Sequence, residues 1–304
     1  MTRALGQYFQ LTKPRVVALL VFCAVIGMFL AVPGIPPWRA LVFGTLGIWL
    51  ASGSAAAFNH LIDERIDKLM VRTARRPLAT GNLKPRQVLV FAIVLGIVSM
   101  LVLALLVNGL TAWLTFAGLI GYALVYTAYL KRATPQNIVI GGLAGAIPPV
   151  LGWTAVTGAL HPFALQLCLI IFVWTPPHFW ALSLFTTNDY EAARIPMMPN
   201  VKGELSTRRQ ALAYAVPMAA VGVLPWVMGF AGPVYGAVSL LLGLTFVWYA
   251  WRLLVAGSQP QMLAAARKLF RFSLIYLSGL FAVMLAETLA VKAFQAFGQS
   301  LGVM

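Results

Sequence analysis

Long apolar runs recur from one end of the chain to the other, and they restrict its fold more than any other feature of the sequence. Each run is about twenty residues long, which is the length of α-helix that crosses the hydrocarbon core of a bilayer. Backbone exposed to lipid must satisfy its own hydrogen bonds, so each run is predicted to be a helix. The composition, 61% hydrophobic and 10% charged, is also far from that of soluble domains. We therefore expect an all-α, polytopic membrane protein.

The apolar runs predict a bundle of nine transmembrane helices forming one integral-membrane domain over residues 1–304. All Lys and Arg residues except Arg39 and Lys292 fall on the side of the membrane that holds the N-terminus. The positive-inside rule makes this side cytoplasmic and places the C-terminus outside. We expect the protein in a bacterial-type cytoplasmic (inner) membrane. The predicted spans are 16–32, 40–58, 87–107, 112–130, 137–157, 163–185, 211–230, 234–255 and 272–293.

The net charge of +15 does not indicate a nucleic-acid partner, because the basic residues are scattered between the spans instead of gathered in a groove. Cys23 and Cys168 both lie inside apolar runs, so neither a disulfide nor a thiolate metal site is predicted. The first apolar run is long enough to cross the membrane, and we interpret it as a retained helix and not as a cleaved signal peptide.

The polar stretch 59–86, between the second and third spans, differs from everything around it. Asn59, Asp63 and Asp67 are spaced i, i+4 and i+8, which places their side-chain oxygens on one face of a helix. Mg2+ is usually held by one or two carboxylates together with phosphate oxygens, and arginine pairs bidentately with phosphate. The stretch therefore suits a diphosphate bridged by Mg2+. The basic residues that follow are Lys68, Arg72, Arg75 and Arg76.

A charged loop beside a membrane span can also be a simple topology signal, and loop composition alone leaves that interpretation open. The distribution of the seven acidic residues argues against it, because six of them are gathered in two loops that are both predicted to be cytoplasmic. Only Glu287 lies elsewhere, and we assign it no role. The two groups are Asp63, Glu64 and Asp67 in the first loop and Asp189, Glu191 and Glu204 in the second.

The second loop, about residues 186–210, contains DYEAARIPMMPNVKGE. Asp189 is its best candidate for a metal ligand or a phosphate-side group, and Glu191 comes next. Arg194 and Lys202 could contact phosphate. The alternative is an ordinary solvated loop. The presence of a second acidic loop on the same side of the membrane argues against that interpretation.

A histidine inside the sixth span is the second unusual feature, in the segment TPPHFWALSL. An ionisable residue within a membrane span is a functional candidate by default. His178 could ligate a haem iron or accept a proton, or it could hydrogen-bond a backbone carbonyl freed by Pro176 and Pro177. His60 and His161 have no predicted role.

The cytoplasmic end of the fourth span carries two tyrosines and two cations. Tyr126 and Tyr129 are typical of an interfacial aromatic belt. The alternative is that Lys131 and Arg132 close over the diphosphate.

Four segments together resemble the UbiA-type intramembrane prenyltransferases, and within them the branch that farnesylates protohaem IX. They are NHLIDERIDKLMVRTARRPL, YLKRATPQNIVIGGLAGAIPPVLGW, WTPPHFWALSL and DYEAARIPMMP. The resemblance implies Mg2+ and farnesyl diphosphate bound at Asn59, Asp63 and Asp67. The second acidic motif of the family often has two aspartates four apart. Here it is reduced to Asp189 followed by Ala193, and Arg194 stands where glycine is common.

The activity that the resemblance implies is transfer of a farnesyl group to a vinyl group of protohaem IX, followed by addition of water, with Asn59, Asp63, Asp67 and Asp189 at the reacting centre. The implied partners are farnesyl diphosphate, protohaem IX, the lipid bilayer, and haem A synthase or the oxidase assembly machinery. Two alternatives stay open: a prenyltransferase for a quinone precursor or other aromatic acceptor, and a transporter or haem carrier without catalytic activity.

Overall fold

The computed structural model describes residues 2–300, and the side chains of residues 5–295, as helices joined by turns; no strand occurs in this part of the chain. The first nine helices are α1 (Thr2–Leu11), α2 (Pro14–Leu30), α3 (Thr45–Ile62), α4 (Glu64–Asp67), α5 (Pro85–Leu106), α6 (Gly109–Ile120), α7 (Lys131–Ala133), α8 (Asn137–Ala146) and α9 (Pro148–Thr157). The remaining six are α10 (Pro162–Phe185), α11 (Thr187–Ala192), α12 (Met198–Lys202), α13 (Glu204–Val227), α14 (Pro233–Leu254) and α15 (Gln259–Ser300). Two π-helical segments, Ala40–Gly44 and Gly121–Leu130, lead into α3 and α7.

The all-α, membrane-spanning prediction is confirmed. Over the described residues, eight helical segments are long and apolar enough to cross a bilayer, and there are nine if α1 and α2, bent by 55° at their junction, count as one span. Two helices begin earlier than predicted, α13 at Glu204 and α15 at Gln259. Hydropathy detects only the lipid-facing part of a helix, whereas these helices continue into the polar layer beyond it.

The two proline pairs behave differently. At Pro148 and Pro149 the helix is interrupted, since α8 ends at Ala146 and α9 starts at Pro148. A proline has no N–H to donate to the preceding turn, which explains the interruption. Pro176 and Pro177 instead lie inside α10, which is a single helix. This helix is buried along most of its length against α8, α9, α13 and α15, and its neighbours hold it together.

The helices α2 and α9 cross at very short range. A Cβ atom built on Gly27 would collide with the carbonyl of Pro149, and one built on Gly152 would collide with the carbonyl of Ala24. Small residues allow helices to approach closely in lipid, where dispersion contacts replace the hydrophobic effect as the driving force. These two glycines therefore fix the spacing between α2 and α9.

Glu287, the isolated acid of the ninth span, has a clear structural partner. Its carboxylate accepts hydrogen bonds from the backbone N–H groups of Gly232 at 2.8 Å, Val234 at 3.0 Å and Tyr235 at 3.4 Å. These donors are the unpaired N–H groups at the start of α14, where a negative charge also favours the helix dipole. Glu287 thus caps α14 from the neighbouring helix α15.

Candidate functional site

The first acidic motif begins in the last turn of α3 and ends in α4. The backbone N–H of Asp63 donates to Asn59 O at 3.0 Å, and that of Asp67 donates to Asp63 O at 2.8 Å. The helical repeat therefore continues across the short junction between the two helices. As the spacing indicated, the side chains share one face: Asn59 Nδ2 donates to Asp63 Oδ2 at 2.8 Å. All three residues are buried.

Three cations from three separate parts of the chain contact this acidic motif. Lys131 Nζ lies 2.5 Å from Asp63 Oδ2, and Arg76 donates to Asp67 Oδ2 at 2.6 Å. Lys13, between α1 and α2, donates to Asn59 Oδ1. Buried carboxylates are costly unless they are paired, so these contacts stabilise the motif in its buried position.

One oxygen of each aspartate has no hydrogen-bond partner among the described residues. Asp63 Oδ1 and Asp67 Oδ1 are both buried, and the guanidinium of Arg132 stays 3.9 Å from Asp63 Oδ1. An unpaired buried oxygen is unfavourable, and carboxylate oxygens are the ligands that Mg2+ prefers. The described part of the chain gathers no three His, Cys, Asp or Glu side chains into one metal site. The two free oxygens fit a Mg2+ ion that takes its other ligands from phosphate and water.

Next to the acidic motif is a cavity of about 250 Å³, here called the basic cavity. It contains three of the residues predicted to bind diphosphate, Arg72, Arg75 and Arg76. Such a concentration of guanidinium groups suits the oxygens of a diphosphate. The remaining lining residues are Gln10, Lys13, His60 and Pro77.

Lys13 and His60 line the basic cavity although neither was predicted to do so. Lys13 precedes the span of α2, and its burial, followed by nearby Arg76 and Lys131, lowers the pKa of its ammonium to about 7. An anion in the cavity would favour the protonated form. Both ring nitrogens of His60 are buried without a hydrogen-bond partner in the described region, so they are available to a ligand.

Asp189 contacts the backbone of the loop between α4 and α5, here called the arginine loop because it carries Arg72, Arg75 and Arg76. Its two carboxylate oxygens accept the backbone N–H groups of Val71 at 3.1 Å and Arg72 at 3.4 Å. The neighbouring Tyr190 hydroxyl lies 3.5 Å from the guanidinium of Arg72. The structure therefore gives Asp189 contacts to the loop that carries the arginines. Its predicted role as a metal ligand remains a prediction.

Three of the predicted diphosphate residues, Lys68, Lys131 and Arg132, lie outside the basic cavity. Lys68 is exposed and pairs with Glu64 at 2.9 Å, one helical turn away. Arg132 donates to the carbonyl of Ile62 at 3.0 Å and points to a second cavity. Lys131, as described, contacts Asp63. The diphosphate cluster that the sequence suggested is therefore divided between two sides of the acidic motif.

The second cavity has a volume of about 430 Å³ and lies against the α3–α4 junction. Residues from this junction form one of its walls, while His60 of the same segment faces the basic cavity. The acidic motif thus separates two cavities. The second is lined by Leu61, Ile62, Glu64, Arg65, Ile66, Arg132, Ala193, Arg194 and Ile195.

His178 is buried between α10 and α15. Its ring stacks on Trp174, with centroids 4.3 Å apart, and on Phe270, at 4.7 Å. Its Nδ1 lies 2.5 Å from the hydroxyl oxygen of Ser273, and that hydroxyl donates to the carbonyl of Phe270 at 2.6 Å. Since the hydroxyl proton is used in this way, Nδ1 must carry the proton and Nε2 keeps its lone pair. The carbonyl partner considered from the sequence is therefore not what this histidine contacts.

Comparison with known proteins identifies the family to which this chain belongs. The model of the UbiA prenyltransferase family matches residues 20–286. The chain is 60% identical to a protein from Brucella anthropi named protoheme IX farnesyltransferase, over 96% of this chain and 93% of that protein. A protein of the same name from Alkalilimnicola ehrlichii is 58% identical, over 92% of this chain and 91% of the relative.

Solved structures agree on the fold. A digeranylgeranylglyceryl phosphate synthase superposes with a TM-score of 0.76 at 16% identity, over 92% of this chain and 98% of that one. A UbiA homologue from Archaeoglobus fulgidus bound to GPP and Mg2+ gives a TM-score of 0.67 at 17% identity, over 91% and 99% of the two chains. At such identities the likeness extends to the fold alone.

Proposed function

The chain belongs to the UbiA prenyltransferase family, and we propose that it transfers the farnesyl group of farnesyl diphosphate to a vinyl group of protohaem IX. Relatives that are 60% and 58% identical over nearly their full length carry the name protoheme IX farnesyltransferase. The structural observation that carries the proposal is the pair of free, buried oxygens on Asp63 and Asp67 beside the basic cavity.

The donor side of the reaction uses the basic cavity. Asp63 and Asp67, with Asn59 beside them, would hold the Mg2+ ion that binds the diphosphate. When bound, the ion supplies charge compensation for the departing diphosphate. Arg72, Arg75 and Arg76 stabilise the same charge through preorganised hydrogen bonds. Lys13 and His60, which line the cavity, can donate further hydrogen bonds to the diphosphate oxygens. Lys131, which pairs with Asp63, is a third such donor.

The chemical step breaks the bond between the farnesyl C1 and the diphosphate oxygen. The terminal carbon of the haem vinyl group bonds to C1, and the positive charge that remains on the inner vinyl carbon is captured by water with loss of a proton. The products are haem O, which bears a hydroxyethylfarnesyl group, and diphosphate. We propose that His178 orients the haem through Nε2, because its Nδ1 is held by Ser273.

The orientation in the membrane follows the basic residues. We propose that the N-terminus and both acidic loops face the cytoplasm of a bacterial-type inner membrane, where farnesyl diphosphate is available, and that the C-terminus lies outside. Haem O is more apolar than its precursor. We propose that it passes within the bilayer to haem A synthase or to oxidase assembly.

The test is reconstitution of the purified full chain in lipid nanodiscs with protohaem IX, farnesyl diphosphate and Mg2+, followed by mass spectrometry of the extracted haem. We expect haem O from the wild type and at least a hundredfold less from Asp63→Asn and Asp67→Asn, because loss of one charged metal ligand removes several kcal/mol of charge compensation, about 2.7 or more. The matched control is Glu191→Gln, an exposed acid in the other loop. Unmodified haem with the wild type, or normal turnover in both aspartate variants, would refute the proposal.

A further inference from the structure

The second cavity presents three arginines to a single space. Arg65 comes from α4, Arg132 from α7 and Arg194 from the turn after α11, so three separate segments converge. The one acid that lines the cavity, Glu64, is neutralised by Lys68 at 2.9 Å. Within the described part of the chain, neither Arg65 nor Arg194 has a carboxylate within 4.0 Å. Arg132 lies 3.9 Å from Asp63, but that carboxylate is already paired with Lys131 at 2.5 Å, so the rim keeps a net positive charge.

Arg194 is held at this rim by an unusual backbone. Its φ angle is 52°, in the left-handed region that residues other than glycine rarely adopt. The residues on either side, Ala193 and Ile195, are both buried in one small apolar cluster. This packing fixes the turn and keeps Arg194 exposed at the cavity. Strained residues of this kind persist where the surrounding structure determines them, often at binding sites.

Part of the cavity wall is apolar. Leu61, Ile62 and Ile66 come from the α3–α4 junction, and Ala193 and Ile195 lie across from them. A volume of about 430 Å³ is in the range of small-molecule sites. The combination of an apolar wall and an arginine rim suits a flat apolar molecule that ends in carboxylates, because guanidinium groups bind carboxylates bidentately.

We propose that Arg65, Arg132 and Arg194 bind the propionate carboxylates of the haem acceptor in this second cavity. The inference rests on the proposed function, since it takes protohaem IX as the acceptor. In protohaem IX the propionates and the vinyl groups are on opposite edges of the macrocycle. Propionates held at the arginine rim direct the vinyl edge away from it, toward the interior of the protein.

The arrangement separates the two anionic groups of the substrates. The basic cavity, with Arg72, Arg75 and Arg76, lies on one side of the acidic motif and receives the diphosphate. The second cavity lies on the other side of the same short segment. The assignment also gives a function to Arg132, which lies apart from the arginines of the basic cavity. Lipid phosphate offers similar anionic chemistry, so the experiment has to distinguish the two.

The experiment compares protohaem IX with its dimethyl ester, in which both propionates are uncharged. The full chain is placed in nanodiscs of phosphatidylcholine, and the affinity of each haem is measured from the Soret band. The variants are Arg65→Gln, Arg194→Gln and the double change. Arg86→Gln is the control, because Arg86 is an exposed arginine of α5 outside both cavities.

We expect the wild type to prefer the free acid over the ester. Exposed charge pairs are worth up to about 1 kcal/mol each, so each single change should lower affinity for the acid about threefold to fivefold and the double change about tenfold or more. Affinity for the ester, and the KM for farnesyl diphosphate, should stay within about twofold of the wild type, because the variants remove only contacts to carboxylate.

Several outcomes would overturn the inference. Variants that keep the preference for the acid, or that lose the acid and the ester equally, would show that the arginines do not bind the propionates. Variants that change only the response to added phosphatidylglycerol would assign the cavity to lipid phosphate. Mass spectrometry of the haem product separates this inference from the proposed function. If the wild type farnesylates haem but haem binding does not depend on these arginines, only the inference is refuted. If the wild type does not farnesylate haem, the proposed function is refuted.

Discussion

Changing Asp189 to Asn should weaken diphosphate binding without weakening the response to Mg2+. The carboxylate accepts hydrogen bonds from two backbone N–H groups of the arginine loop, at 3.1 and 3.4 Å. A hydrogen bond to a charged group contributes about 1.5–3 kcal/mol, but the longer contact contributes little and the site is partly solvated. Asparagine keeps one acceptor oxygen. The substitution should therefore cost about 1–2 kcal/mol of binding free energy, which lowers the affinity for diphosphate roughly 5-fold to 30-fold.

The assay is titration of the full chain with inorganic pyrophosphate, together with the KM for farnesyl diphosphate at saturating haem. Both constants should rise by this factor, while the Mg2+ concentration for half-maximal activity stays within about twofold of the wild type. Glu191→Gln, two residues away in α11 and exposed, is the matched control. A large rise in the Mg2+ requirement of Asp189→Asn would refute the reasoning and make Asp189 a metal ligand.

Three further changes test other parts of the molecule. Arg76→Lys keeps the charge but loses the bidentate fork, so pyrophosphate affinity should fall about tenfold with haem binding unchanged; equal loss of both ligands would contradict this. Gly152→Ala should cost about 1–3 kcal/mol in thermal unfolding, because its methyl group collides with α2, whereas Gly118→Ala, which has open space, should be neutral. His178→Ala should shift the Soret band of the haem complex and lower activity with normal pyrophosphate affinity; an unchanged spectrum in an active protein would exclude the haem contact.

The fold was largely predictable because a bilayer leaves few options for an apolar run. The break at Pro148 was also predictable, since a missing N–H is a local property. The early start of α15 at Gln259 was not, because the first turns of that helix lie outside the apolar window that hydropathy detects. The continuity of α10 through Pro176 and Pro177 depends on packing against neighbouring helices, which no local pattern contains.

In the candidate site, too, the local features were predictable from the sequence and the contacts between distant segments were not. Asn59, Asp63 and Asp67 were predicted to share a face because four-residue spacing is a property of one helix. The side chains of Asn59 and Asp63 are in contact, and the helical hydrogen bond from Asp67 N to Asp63 O continues the repeat. Lys13 contacts Asn59 across 46 positions of sequence, and Asp189 contacts Arg72 across 117. Contacts of such separation depend on how the helices pack, so a single sequence could indicate the residue types but not these pairings.

The separation of two cavities by one short helical segment has a consequence for the binding of the two substrates. The end of α3 contributes His60 to the basic cavity, and the end of α3 together with α4 lines the second cavity, so a ligand that fixes this segment for one substrate also fixes it for the other. Such coupling is reciprocal: if farnesyl diphosphate tightens haem binding by some factor, haem must tighten farnesyl diphosphate binding by the same factor. Titration of either substrate in the presence of a saturating amount of the other should therefore change the two affinities by the same ratio.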